Sequence, residues 1–583
     1  MILVSRRLVP AALLALVGVL SACSSDDGPT NPGVQPVLGL SASNITATAV
    51  TLSFNGVAGD ESYDIERATG TGAFAKVGDV AAPATGTSAS YDDTGLSAET
   101  AYRYRVITRR GTQTATSAEI TVTTVALGSF TRDITADITT NTTWYADTTY
   151  ILKGFIHVAN GATLTIQPGT TIKGDFNTLG ASLFVLRGSK INAVGTADLP
   201  IVFTSARDPG SRQPGDWGGL VIVGNAPTNR TGVEIEIEGT NTVAGNESGT
   251  NYKVTYDGGS VPTDNSGELR YVRVEFAGYA PSLNNELNSF TFAAVGSGTR
   301  LSYLQSMAGL DDSFEFFGGT VDAHHLVSYE AGDDHFDMSE GFRGRLQYLI
   351  ALQTTQLAQR TGAGSPASDP QAIENDGCSG AGCLQGFDTA PFTTPVVANF
   401  TLVGTGDAAT SGSSGGVGMM LRRGTGGYYV NGVVARFPRA AVSVRDAETF
   451  ARGGAAAVPD LATADLAVRN LLFLATATPF QAQSGSTPQN AFDLAGNALV
   501  QNTTATLAEA FTAFPATVND QTTAAAFDWT PATGSPAAAG GLATFSGKLA
   551  TAAGATVTGT SFVGAADPAG AKWWQGWTIY AQK

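Results

Sequence analysis

Between residues 37 and 125, the chain carries short runs in which apolar and polar positions alternate, separated by turn-forming residues. Ala49–Phe54, Tyr63–Arg67 and Ala101–Val106 are three such runs. Alternation with a period of two places every second side chain on one face of a strand, and several such strands at short intervals are typical of an antiparallel sandwich. The pattern therefore predicts a small all-β domain over residues 37–125.

From residue 126 to residue 583, the pattern changes to short apolar strands that are closed by Gly or Asn turns. Gly161–Ile172 is one such unit, and Gly188–Gly195 begins 27 residues later. Asp311–Glu315 recurs 22 residues further on as Asp333–Asp337. Repeats of about 20–30 residues are typical of a solenoid whose stacked coils bury a continuous apolar column. We therefore predict a parallel β-helix with long loop insertions over residues 126–583, with these two acidic segments directly above one another.

The amino terminus has the pattern of an export signal. Arg6 and Arg7 give it a positive start, and the apolar run Pro10–Leu20 is too short to span a bilayer as a permanent helix. This run ends in Leu-Ser-Ala-Cys, with the cysteine at Cys23, which resembles the bacterial lipoprotein signal.

The lipoprotein resemblance implies that residues 1–22 are a signal peptide and that Cys23 carries lipid after cleavage. Residues 23–36 are polar and rich in Gly and Pro, so we expect a flexible tether there. The expected location is the cell envelope, with a lipid anchor in the outer membrane. The protein would be exposed at the cell surface or face the periplasm.

The acidic balance excludes one class of partner. The 583 residues include 33 Lys and Arg against 50 Asp and Glu, for a formal net charge of −17. A chain this acidic is repelled by a phosphate backbone, so we expect no nucleic-acid partner. Four His and three Cys leave little basis for a zinc or thiol enzyme. Cys378 and Cys383 lie in a loop rich in Gly, Ser and Ala, and in an oxidising compartment we expect a local disulfide between them.

Two parts of the chain resemble known families. Leu96–Tyr102 is similar to the pre-strand turn of a fibronectin type III domain, with Tyr102 at the tyrosine corner and Phe54 where a core Trp is commoner. The later part resembles bacterial surface lipoproteins with right-handed parallel β-helices. The runs that carry this second resemblance include Gly161–Lys173, Pro200–Ser205, Trp217–Leu220, Asp311–Val321, Gly332–Gly341 and Trp573–Thr578. Most members of that family have no assigned activity, so the resemblance implies an all-β fold and a location rather than a function.

Carboxylates are concentrated in one part of the predicted β-helix. Residues 311–340 contain nine of them and no Lys or Arg. Coils of a β-helix lie about 4.8 Å apart, so stacked acidic segments would form a ladder of like charges. Such a ladder must raise the pKa of some of its carboxyl groups or bind a cation. Calcium is the oxygen-preferring ion that accepts irregular carboxylate cages.

We expect Asp312, Asp334 and Asp337 to be the leading Ca²⁺ ligands. Asp311, Asp333 and Glu315 come next, with the side chains of Asp311 and Asp312 on opposite sides of a strand. The alternative interpretation is a solvated acidic face, or aspartates that accept hydrogen bonds from turn amides.

Catalysis is a second interpretation of the same cluster. Polygalacturonases and pectate lyases are β-helices with carboxylates on an outer face, and a glycosidase needs two carboxyl groups in different protonation states. If the protein is an enzyme, the candidates are Asp333, Asp334 and Asp337, with Arg343 as the base of a Ca²⁺-dependent lyase. The chain lacks the Gly-His-Gly signature of polygalacturonases, and fold alone says little about function.

The carboxyl terminus is rich in tryptophan. Trp573, Trp574 and Trp577 are half of the six in the chain, and we expect them to cap the open end of the β-helix. The sequence as a whole favours a monomeric, lipid-anchored binding or scaffolding protein of the cell envelope, directed towards polysaccharide or another envelope component. The alternative is a Ca²⁺-dependent polysaccharide lyase or glycoside hydrolase that acts at the acidic face of residues 311–343.

Overall fold

The computed structural model divides the chain into two compact units, a small one drawn from residues up to 122 and a large one that contains all residues from 123 onward. It describes residues 33–57, 59–83, 88–241, 253–282, 285–358, 361–364, 370–406, 416–456, 458–476, 478–482, 498–502, 507–515, 517–519 and 521–580. The predicted signal peptide and Cys23 lie outside these residues. In the described ranges, no helix has the length and apolarity needed to cross a membrane.

The strands between Leu38 and Thr123 form the predicted small β-domain, which contains two sheets. Leu38–Ser43, Ala49–Asn55 and Ser88–Thr94 make a three-stranded sheet. The second sheet consists of Ala75–Ala81, Ser62–Thr69, Ala101–Arg110, Gln113–Thr116 and Ile120–Thr123. Its central pairs are antiparallel. The alternating apolar residues are buried, and Phe54 contacts Tyr63 edge to face with ring centroids 5.1 Å apart.

Between Phe130 and Asn502, the chain winds into the predicted parallel β-helix. The predicted extent to residue 583 is wrong, because the described residues from Leu507 to Tyr580 add no strand to the stacked coils and pack instead against their outer side. A ten-stranded sheet stacks Phe155–Val158, Ser182–Val185, Leu220–Val223, Phe290–Ala293, Phe314–Phe317, Phe336–Ser339, Ile373–Asp376, Val417–Arg422, Ala440–Val444 and Phe480–Ala482 in that order. A seventeen-stranded sheet contains Phe130–Ile134, Thr142–Trp144, Thr148–Leu152, Thr163–Ile166, Thr171–Gly174, Lys190–Val194, Ile201–Ser205, Gly267–Glu275, Arg300–Gly309, Asp322–Ala331, Arg345–Leu352, Val396–Val403, Gly427–Val430, Val433–Ala435, Leu466–Arg469, Leu471–Leu474 and Ala498–Asn502.

The remaining elements within the described ranges are short. Two antiparallel pairs join Ile235–Glu236 to Thr255–Tyr256 and Phe511–Ala513 to Asp528–Pro531. The α-helices are Ala447–Gly453, Leu507–Ala510 and Gly547–Ala553, and the 3₁₀ turns are Gly386–Asp388, Ala524–Ala526 and Pro536–Ala538. The protein is therefore almost entirely β-structure.

The 22-residue repeat sets the register of two neighbouring coils, as predicted. Phe314 pairs with Phe336, and Glu315 pairs with Asp337. The rings of Phe290, Phe314 and Phe336 stack inside the solenoid with centroids 4.9 Å and 5.4 Å apart. Because these phenylalanines point inward, the residue that follows each of them points outward.

The tryptophans at the carboxyl terminus do not cap an end of the solenoid. Trp574 and Trp577 are buried in an apolar cluster with the outer side of the seventeen-stranded sheet. The ring of Trp577 lies 5.6 Å from that of Tyr271, and Gln305 exchanges two hydrogen bonds with the backbone of Ile579. The side of the sheet is itself apolar here, so the returning chain buries that surface. The prediction of a terminal cap is wrong on this point.

Candidate functional site

Seven of the nine carboxylates of the acidic window, all except Asp322 and Glu330, line a cavity of about 510 Å³ on the outer side of the ten-stranded sheet. Eleven carboxyl groups line it: Glu238, Glu286, Asp311, Asp312, Glu315, Asp333, Asp334, Asp337, Glu340, Glu374 and Asp376. Three guanidinium groups, those of Arg230, Arg422 and Arg423, line it as well. With all groups ionised, the lining would carry eight more negative than positive charges.

The turns that precede consecutive strands form one wall of the cavity, and a hydrogen-bonded ladder holds them in place. The amide nitrogen of Asp312 donates to the side-chain oxygen of Asn288 (3.2 Å), and the amide of Asp334 donates to Oδ1 of Asp312 (2.8 Å). The amide of Gln371 donates to Oδ1 of Asp334 (2.6 Å), and the amide of Val417 donates to Oε1 of Gln371 (3.0 Å). Each rung uses one side-chain oxygen to accept a bond from the next coil.

The hydrogen bonds of the ladder explain only part of the role of Asp312 and Asp334. Asn288 and Gln371 serve as rungs with neutral amide oxygens, so a negative charge is not needed for the structural bond. Asp312 and Asp334 occupy the two middle rungs and add a charge to the cavity wall. The alternative interpretation of turn-bonding aspartates is therefore correct for one oxygen of each residue, and the second oxygen needs another explanation.

Outward-facing positions of the strands form a second column of acids. Glu315 pairs with Asp337, and Asp337 pairs with Glu374, so three consecutive coils place a carboxyl group at the same point. Carboxylates stacked in this way repel each other at the spacing of adjacent strands. An amide nitrogen of Asn288 donates a hydrogen bond to Glu315. The rest of the repulsion between the carboxylates of this column has to be offset by other groups inside the cavity.

Burial and mutual repulsion raise the pKa values of these carboxyl groups. Burial is the largest cause for Asp311, Asp312 and Asp334, whose pKa values lie well above the ordinary value, and neighbouring carboxylates add to it. Burial also raises the pKa of Asp337 to about 6 and that of Glu238 to about 8. Burial and repulsion therefore favour the protonated forms of these groups more than in an exposed carboxyl group.

Arginines pair with some of the carboxyl groups that line the cavity. Arg422 contacts Glu374 and donates to Asp376 from Nε (2.8 Å), and Arg423 contacts Asp376 as well. Arg230, which also lines the cavity, donates to Glu340 (2.6 Å).

A disulfide bond closes the loop beside Arg230. The structure joins Cys378 to Cys383. The carbonyl oxygen of Ala381, within this loop, accepts from Nε of Arg230 (2.7 Å). Gly377 and Ser379 of the same segment line the cavity, so the closed loop forms part of its wall.

Carboxylate oxygens converge at three points of the cavity. The groups Asp311–Asp312–Asp333, Asp312–Glu315–Asp337 and Asp334–Asp337–Glu374 each bring one oxygen per residue to within 4.8 Å of the others. Oδ1 of Asp337 is buried and has no hydrogen-bond partner among the described residues. An orphaned carboxylate oxygen beside two others fits a hard cation with oxygen ligands, of which Ca²⁺ is the example with the least demanding geometry.

The structure brings all six predicted ligands to this cavity, namely Asp311, Asp312, Glu315, Asp333, Asp334 and Asp337. Asp311 and Asp312 precede the strand Phe314–Phe317 and both line the cavity, so the expectation that they point to opposite sides is wrong. A turn does not alternate its side chains as a strand does.

The basic residue proposed for lyase chemistry lies elsewhere. Arg343 is exposed, follows the strand Phe336–Ser339 and is not among the cavity-lining residues. His335 is buried behind the ladder with Nδ1 2.5 Å from Oγ of Ser328, and burial lowers its pKa to about 3. His325 stacks on Tyr303 in the seventeen-stranded sheet. The three guanidinium groups of the cavity are the basic groups that the structure offers there.

Sequence reasoning missed the lining residues outside the 311–340 window. A partial signal exists, because Asn288-Ser289-Phe290 and Gln371-Ala372-Ile373 occupy the same positions as Asp312-Ser313-Phe314 in their own coils. Glu374 follows from that alignment. Glu238 and Arg230 come from a long excursion of the chain and have no repeat to reveal them.

The chain matches the model of the pectate-lyase-like β-helix domain family over residues 136–530, which is more than half of its length. It therefore belongs to this family. The resemblance to β-helical proteins is confirmed at that level, whereas lipoprotein status remains a prediction. No curated protein matches the chain.

Several solved structures are similar to parts of the chain. A family 28 exopolygalacturonase from Yersinia enterocolitica is 11% identical over 78% of this chain and 83% of its own, with a TM-score of 0.16. The catalytic unit of a family GH87 α-1,3-glucanase from Streptomyces thermodiastaticus is 9% identical over 76% and 87%, with a TM-score of 0.20. The third fibronectin III domain of human KIAA0343 protein is 16% identical over 18% and 93%, with a TM-score of 0.14. At these scores the similarities carry no functional conclusion.

Proposed function

We propose that this protein is a cation-dependent binding protein of the cell envelope, in which the acidic cavity holds Ca²⁺. Asp312, Asp334 and Asp337 are the leading ligands, with Asp311, Asp333 and Glu315 beside them. The bound ion would neutralise carboxylates that the fold packs together and would fix the turns that carry them. The observation that supports this proposal most directly is that Asp312 and Asp334, two of the four rungs of the ladder, are acidic, whereas the rungs Asn288 and Gln371 are neutral.

The binding partner is proposed to be a polysaccharide or another envelope component, and the protein to be a lipid-anchored monomer. Export through the leader and attachment at Cys23 would place the β-helix outside the inner membrane, where Ca²⁺ is available. The long side of a solenoid suits an extended ligand because each coil repeats the same surface.

A melting experiment tests the cation proposal. The purified protein should unfold at a higher temperature in CaCl₂ than in EGTA, because an ion that binds only the folded state stabilises it by mass action. NaCl of equal ionic strength serves as the control. An unchanged transition across these buffers would contradict the proposal.

A specific observation supports a second candidate, a polysaccharide lyase or hydrolase. The cavity combines carboxyl groups of raised pKa with three arginines, and an acid–base enzyme needs groups in different protonation states. A screen on uronate-rich polysaccharides, with and without Ca²⁺, tests this candidate. Product that depends on Asp334 would favour an enzyme, and no product on any substrate would favour the binding role.

A further inference from the structure

The three points of convergence share residues in a way that indicates how many cations the cavity accepts. Asp312 belongs to the first and second groups, and Asp337 belongs to the second and third. The first group, Asp311–Asp312–Asp333, and the third, Asp334–Asp337–Glu374, have no residue in common. These two groups can therefore each hold an ion without competing for a ligand.

The charge of the cavity points the same way. Eleven carboxyl groups face three guanidinium groups, and the guanidinium groups contact Glu340, Glu374 and Asp376. One divalent ion would leave most of the excess negative charge of the cavity lining uncompensated in a buried space. Two ions would remove half of the formal excess of eight negative charges.

The orphaned oxygen supplies an independent indication of a ligand. Oδ1 of Asp337 is buried without a hydrogen-bond partner among the described residues, and Asp337 belongs to both the second and the third group. Buried carboxylate oxygens are rarely left in this state unless an ion or water completes them.

We propose that the cavity is a two-cation site, with one divalent ion in the group Asp311–Asp312–Asp333 and a second in the group Asp334–Asp337–Glu374. This inference rests on the proposed function, because it specifies the content of the same cavity. Glu315, between the two groups, is placed to contact either ion. Glu374 leaves its contact with Arg422 when it binds the second ion, and Arg422 keeps Asp376 as its partner.

Calorimetric titration of the purified protein with CaCl₂ at pH 7.5 tests this proposal by counting ions. We expect two Ca²⁺ per chain in the wild type. Asp333→Asn removes a ligand of the first group alone, and Glu374→Gln removes a ligand of the third group alone. Each single variant should bind one Ca²⁺, and the double variant should bind none. Asp322→Asn is the matched control, because Asp322 lies in the same window but pairs with Arg345 outside the cavity, and it should still bind two.

The outcomes separate the inference from the function on which it rests. One Ca²⁺ in the wild type would overturn the two-cation site and leave the binding function standing, whereas none would overturn both. Loss of all binding in either single variant would also overturn the proposal of two separate groups. Electron paramagnetic resonance of Mn²⁺-loaded wild type needs no variant, and dipolar broadening between two Mn²⁺ ions is the expected spectrum. A spectrum of isolated Mn²⁺ would contradict the pair.

Discussion

Asp334 provides the sharpest test of how structural and functional roles divide within the ladder. It is 4% exposed, and its Oδ1 accepts a 2.6 Å hydrogen bond from the amide of Gln371, which is 1% exposed. Asp334→Asn keeps an acceptor oxygen and removes the charge. Asp334→Ala removes both, and a buried amide left without a partner costs about 1–3 kcal/mol.

The two variants should therefore differ in stability in EGTA, but they should respond to CaCl₂ in the same way. In EGTA at pH 8, Asp334→Asn should be at least as stable as the wild type because it relieves repulsion in the cavity, and Asp334→Ala should be less stable than Asp334→Asn by about 1–3 kcal/mol. Both variants should lose most of the stabilisation that Ca²⁺ gives the wild type. Urea unfolding followed by circular dichroism measures all of these differences.

A neutral rung of the same ladder is the control. Gln371→Ala removes the acceptor of the Val417 amide without changing the charge of the cavity, so it should lower stability and keep the response to Ca²⁺. A full Ca²⁺ response in Asp334→Asn would contradict the role of Asp334 as a cation ligand. Equal stability of the Asn and Ala variants in EGTA would refute the role given to the ladder bond.

Three further predictions concern pH and the carboxyl-terminal segment. Burial raises the pKa of Asp337 from 3.8 to about 6. The free energy of unfolding in EGTA should therefore be fully retained below pH 4 and should fall by about 3 kcal/mol as the pH rises through 6. In CaCl₂ this loss should vanish, and a free energy of unfolding in EGTA that does not change with pH would contradict the raised pKa. His335, with a pKa of about 3, should not titrate between pH 5 and 8 in imidazole NMR, and a midpoint in that range would show that it is solvated. Tyr580→Phe removes the 2.7 Å bond to buried Glu330 and should lower the melting temperature, whereas Tyr145→Phe, at an exposed position, should not; equal melting would contradict the role of that bond.

The repeated pattern made much of the fold predictable. The recurrence of Asp311–Glu315 as Asp333–Asp337 predicts a coil of 22 residues, and the pairing of Phe314 with Phe336 confirms this prediction. The register follows because an inward aromatic fixes which residues face out. Where a coil is extended by insertions, as between Phe336 and Ile373, the spacing of 37 residues hides the same relation.

The rest of the site depends on contacts that no local pattern encodes. Arg230 reaches Glu340 across 110 residues of chain, and Arg422 meets Glu374 only after a loop of unrelated composition. The packing of Trp577 against Tyr271 likewise depends on a carboxyl-terminal segment that returns along the outside of the coils. A cluster of aromatic residues in a sequence predicts that these side chains are buried, but it does not predict which surface of the protein they cover.

A crystal structure of the protein grown in MnCl₂, with anomalous difference maps calculated at the manganese edge, would show directly whether the cavity binds a cation. We predict strong peaks inside the cavity, within bonding distance of carboxylate oxygens of Asp312, Asp334 and Asp337. A cavity with no anomalous peak, in which Asp337 Oδ1 instead accepts a hydrogen bond from the protein or from water, would contradict the assignment of this site to a cation.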